Sequence, residues 1–76
     1  MIIEGQITGV METWPLQLTV QTDAGMYHVI LAEIVVTSGG QPVSPGDIRE
    51  GDTVRVDGTP SGPRGITATS IDIIGM

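Results

Sequence analysis

There is no cysteine, no phenylalanine and no lysine in this sequence, and only one histidine, one tryptophan and one tyrosine. Without cysteine, neither disulfides nor thiolate-bound zinc can stabilise the fold, and a single histidine leaves zinc no ligand set. The cations are Arg49, Arg55 and Arg64 against nine acids, for a formal charge of −6. Such a surface repels nucleic-acid phosphates and anionic membranes at long range. No apolar run approaches the length of a bilayer-spanning helix. The opening Met1-Ile2-Ile3-Glu4-Gly5 lacks a basic segment followed by an apolar one. No signal peptide is therefore expected, and the expected location is the cytoplasm.

What the chain has is Ile, Val and Leu, punctuated by 11 glycines and 5 prolines. β-branched residues between Gly and Pro breaks are the composition of short strands joined by turns. A hydrophobic share of 39% suits a packed core and argues against disorder. At 76 residues the chain is expected to form one domain over residues 1–76, with a thin stability margin because so short a chain buries little surface.

The alternation starts at once. Ile3, Ile7 and Met11 fall on one face of a first strand, with Gly5 and Gly9, while Glu4, Gln6, Thr8 and Glu12 fall on the other. Period two with one wet face predicts an antiparallel strand. Glycines on the apolar face permit a bend, which lets one long strand serve both halves of a small barrel. After Trp14-Pro15, Leu16, Leu18 and Val20 alternate with Gln17, Thr19 and Gln21, and Asp23-Ala24-Gly25 predicts a hairpin turn. The third strand sets Tyr27, Val29 and Leu31 against Met26, His28 and Ile30. With Ile34-Val35-Val36, Met26 and Ile30 form either an exposed apolar strip suited to an interface or residues turned inward by a bulge.

Ser38-Gly39-Gly40 is a turn signal, and Gln41 to Val43 can pair back as a small extra hairpin. Ser44-Pro45 opens, and Gly51 closes, at most one helical turn whose apolar anchor is Ile48. Thr53 to Thr59 predicts a fourth strand with Val54 and Val56 inward. The last strand starts with Ile66 and Ala68 inward and then changes phase to Ile71 and Ile73, which predicts a bulge near Thr69-Ser70.

The glycine-bearing first strand, the hairpin, the run from Asp47 to Gly58 (DIREGDTVRVDG) and the final Ile66-Thr67-Ala68-Thr69-Ser70-Ile71 together resemble an OB-fold barrel (oligonucleotide/oligosaccharide-binding). The resemblance covers nearly the whole chain. It implies an all-β, small five-stranded antiparallel barrel with at most one helical turn between the third and fourth strands; an SH3-like barrel is the alternative topology. That single turn must plug the barrel end where the family usually has a longer helix. The resemblance also implies a ligand face on the second and third strands, flanked by loops carrying Trp14 and Arg64.

On that face Gln17, Thr19, Gln21, His28 and Ile30 point outward. Trp14 there either stacks on a base or caps the barrel beside Pro15; Arg64 either meets a phosphate or is a solvated loop charge. The candidate binding set is Trp14, Gln17, Thr19, Tyr27, His28, Ile30, Arg55 and Arg64. His28 has no nucleophile motif to act on, so no catalytic residue and no enzyme activity is expected. Asp47, Glu50, Asp52 and Asp57 lack EF-hand spacing, and Asp47 and Asp52 read as turn and cap residues. The glycine-rich loops lack the lysine of a phosphate cradle. No metal or cofactor is expected. The expectation is a binding module acting through a protein partner or as a homo-oligomer. The alternative is a domain for single-stranded DNA or RNA using Trp14, Arg55 and Arg64, disfavoured by net charge.

Overall fold

The alternation becomes seven strands in the computed structural model, which describes residues 1–13, 15–31 and 35–75, without the side chains at 35 and 45. They are β1 (Ile2–Met11), β2 (Leu16–Thr22), β3 (Gly25–Leu31), β4 (Val35–Ser38), β5 (Gln41–Pro42), β6 (Thr53–Pro60) and β7 (Gly65–Gly75). The only helical geometry among the described residues is a 3-10 turn, Pro45–Asp47.

Five of the strands close a ring. β1 pairs with β2, β2 with β3, β1 with β6 and β6 with β7, all antiparallel; β3 then pairs with β7 in parallel through Val29 and Ile66. The parallel joint corrects the expectation of a purely antiparallel barrel, and parity explains it. Strand directions must alternate around an antiparallel ring, and an odd number of strands cannot alternate all the way round. Beyond β3, β4 continues along β7, also in parallel, and carries β5 as a short antiparallel hairpin. Gly39 and Gly40, at φ 58° and 85°, make its turn, as their place in the sequence predicts.

β1 does serve both halves. Ile2 to Gln6 pair with β6 and Gln6 to Met11 pair with β2. At the handover Gly5 passes so close to β2 that an added Cβ would land on the Gln21 carbonyl oxygen. A register shift between Ile7 and Gly9 then inserts one extra residue opposite Thr19. This bulge corrects two expectations. Gly9 faces outward, toward the Thr19 hydroxyl, and Met11 is 53% exposed while Val10 packs against the core. In β7 the slip falls where the sequence places it: Ser70 pairs with Asp57 and Ala68 with Gly58, leaving Thr69 as the extra residue.

Ile3, Ile7, Leu18, Val20, Val29, Leu31, Val54, Val56, Ile66, Ala68, Ile71 and Ile73 fill the interior. Val36 joins them, so it does not extend an exposed strip; Ile34 lies outside the described residues. Ile48 is buried at the barrel end, and the chain around it is tied to β1 by hydrogen bonds from Gly51 N to Ile7 O and from Ile7 N to Asp52 O, both 2.8 Å. Asp52 accepts from Arg49 N at 3.1 Å, and Asp47 from Ser44 N at 3.2 Å. Both acids are therefore turn residues, as their positions predict.

Asp72 locks the β4–β5 hairpin onto β7. Its Oδ1 accepts from the Thr37 hydroxyl at 2.5 Å and from Gly40 N at 3.3 Å. The Thr37 hydroxyl first, then the Gly40 amide and, less, the Arg55 charge, hold its carboxyl below the ordinary range of an aspartate, against an opposing effect of desolvation. A depressed folded-state pKa stabilises fully above the unfolded value and is lost as pH falls through the folded one. The wild type should therefore lose more stability than Asp72→Asn between pH 6 and pH 2.5, measured as urea midpoints.

Candidate functional site

The β1 bulge and the β2–β3 hairpin build one continuous outer surface. Ladder partners bring Met11, Gln17 and Ile30 into one cross-strand row and Gly9, Thr19 and His28 into the next. A third row holds Gln6, Gln21 and Met26. Thr8, the bulged residue, reaches the same surface: its hydroxyl lies 3.0 Å from Thr19 Oγ1 and donates to Met26 Sδ at 3.7 Å. None of these residues carries a formal charge in a chain of −6. The charged residues gather elsewhere. Glu4, Arg55, Asp57 and Asp72 occupy β1, β6 and β7, while Glu12 and Asp23 only border the uncharged surface.

Because Gly9 has no side chain, the middle of this surface is a shallow open depression of about 230 Å³. Val10 and Leu18 form its apolar floor; Met11, Gln17, Thr19 and His28 form its walls. His28 Nε2 and Gln17 Oε1 are 2.7 Å apart, an arrangement that fixes both side chains and satisfies one polar group of each. Gln17, Thr19 and His28 are half-buried, whereas Met26 is 47% exposed and stands above the surface.

The other candidates lie apart from this group. Trp14 lies outside the described residues. Tyr27 faces the core side, at the end of the barrel where the hairpin turns. Arg64 meets it there: its guanidinium lies 5.6 Å from the Tyr27 ring centroid and donates to Ala24 O at 2.7 Å. The Arg64 carbonyl also accepts from His28 N at 2.8 Å. Arg64 thus latches the β6–β7 loop to the β2–β3 turn. Arg55 sits on β6, which has no ladder to β2 or β3, and pairs with Glu4 at 3.6 Å. Both partners are about half exposed, so solvent weakens that pair.

The structure therefore assembles Gln17, Thr19, His28 and Ile30, separates Tyr27, Arg55 and Arg64 from them, and adds Thr8, Gly9, Met11 and Met26. The two flanking loops stand at opposite ends of β2, about 20 Å apart for its seven residues. Among the described residues no group of His, Asp and Glu is arranged to hold a metal ion. No protein-family model, curated protein or solved structure matches the chain.

Proposed function

We propose that the chain is a small, non-enzymatic OB-like binding module that acts through protein–protein contacts or self-association, using the outer surface of β1, β2 and β3. One observation carries the reading: a surface without charge, with Met11, Met26 and Ile30 among Thr, Gln and His, on an otherwise acidic molecule. Interface centres are poor in charge and rich in Met and aromatics, with the charged groups at the rim. The bent, shared first strand, the five-strand closure and Ile48, buried just after the 3-10 turn, support the OB-like part.

Addition of a partner strand is the weaker route, because every long strand of the barrel is paired on both sides along part of its length. The short β5 remains as an edge, and it carries Pro42, which blunts pairing. A face, rather than an edge, is the surface this barrel offers.

The alternative, single-stranded nucleic acid, needs a cationic track with aromatic platforms. Here Arg55 is paired with an acid and Arg64 is held by Ala24 and Tyr27. Titration with mixed-sequence oligonucleotides at low salt should leave Trp14 fluorescence unchanged up to tens of micromolar, a range that non-specific binders reach. Quenching there would favour the alternative. The binding reading is tested by affinity capture from a native extract. The wild-type chain should retain a protein that Thr19→Glu does not, or self-associate where Thr19→Glu does not; equal behaviour of the two in both assays would remove the surface from the function.

A further inference from the structure

We infer that the partner of this surface is a second copy of the chain, packed face to face about a two-fold axis. The inference rests on the binding reading above and adds the identity of the occupant. A two-fold interface must be self-complementary: each copy offers both the feature that inserts and the feature that receives it. This surface has both. Met26, 47% exposed and held over Thr8 through its sulfur, is a knob. The depression that Gly9 leaves between Met11 and Thr19, floored by Leu18, is a hollow of about 230 Å³, enough for a methionine side chain.

Charge selects the same surface. Two chains of −6 repel one another in most orientations. Approaching through the rows of Met11, Gly9 and Gln6 on β1, β2 and β3 puts no like charges in the centre, with Glu12 beyond one end and Glu4, Asp23 and Arg64 forming the rim towards the other. The β1–β6–β7 ladders instead place Glu4, Arg55 and Asp72 in one cross-strand row, with Asp57 further along β6.

The size of the face bounds the kind of association. Three strands with a usable length of five residues cover roughly 14 by 17 Å. With side-chain relief, two copies bury on the order of 600–1,000 Å², below the roughly 1,200 Å² of stable complexes. Interfaces of that size are typical of weak, transient encounters, so the dimer should form only at high protein concentration.

Sedimentation equilibrium on the purified chain, from 10 μM to 1 mM, tests this. The wild type should pass from monomer toward dimer across that range, and more salt should tighten it, because screening removes repulsion between the acidic copies while the uncharged contact is unaffected. Met26→Glu and Met11→Glu should each weaken association at least tenfold with unchanged urea midpoints. Ile2→Glu, equally acidic and 62% exposed on the part of β1 that pairs with β6, should not. A wild type that remains monomeric at 1 mM overturns the inference, as does a dimer weakened by Ile2→Glu but not by Met26→Glu. If the monomer still captures a different protein that Thr19→Glu loses, the binding reading survives and only the second copy is removed. If neither occurs, both fall.

Discussion

Gly5→Ala is expected to destabilise the chain by about 3 kcal/mol or more, the scale of overpacking in a tightly filled site. The cause is steric. An added Cβ would meet the Gln21 carbonyl oxygen and carbon and the Val20 Cγ1 methyl, and backbone cannot swing aside as a long side chain can. β1 changes partners at this point, from β6 to β2, so moving it apart from β2 opens both ladders. Gly39→Ala is the useful contrast. Gly39 sits at φ 58° with nothing near the position of its missing Cβ, so it should cost only about 1 kcal/mol, for the left-handed conformation alone. Urea unfolding of the three proteins measures both values. A domain of this size has a total stability of roughly 4–11 kcal/mol, so Gly5→Ala removes a large part of it. Equal losses at the two glycines would mean that β1 does not pass so close to β2.

Ile66→Ala should cost a comparable amount, about 3–4 kcal/mol, in the range of buried Ile-to-Ala changes. Ile66 is fully buried and pairs with Val29 across the parallel joint and with Pro60 across the β6 ladder. Truncating it leaves a cavity at the seam that closes the ring. If β3 and β7 did not meet, Ile66 would be half exposed and the loss would fall below about 1 kcal/mol. The same unfolding experiment distinguishes these outcomes, because hydrophobic transfer and cavity terms both scale with burial.

Much of the barrel is legible in the sequence, for local reasons. Leu16, Leu18 and Val20 alternate cleanly with polar neighbours, so both the strand and its inward face can be read. The β7 bulge is visible because polar Thr69 and Ser70 interrupt the alternation between Ala68 and Ile71. The β1 bulge is hidden because Val10 and Met11 are both apolar, and either can serve as the inward residue. Exposure of Met11 follows from a pairing with Gln17 that only the folded ladder sets. The parallel joint joins residues such as Val29 and Ile66 that lie far apart in the chain, and no periodicity reports on that.

The candidate surface is divided in the same way. Gln17, Thr19, His28 and Ile30 follow from alternation within one hairpin and are found together. The separation of Arg64 from them depends on Ala24, forty residues away, and on the Tyr27 ring. Thr8 and Met26 come into reach of one another through a bulge that the sequence does not advertise. An uncharged patch is also hard to see in a linear chain, since its members come from three strands.

The proposed use of a face requires a closed ring, in which the strand edges are already paired. Nuclear Overhauser contacts in the isotopically labelled chain test this most directly. Close approach of Val29 to Ile66 and of Ile30 to Thr67, with the strands running in the same direction, and a slowly exchanging His28 amide bonded to the Arg64 carbonyl, are the result required. Absence of those contacts, with rapid exchange along the outer edge of β3, would show an open sheet whose free edge could take a partner strand. It would contradict the account.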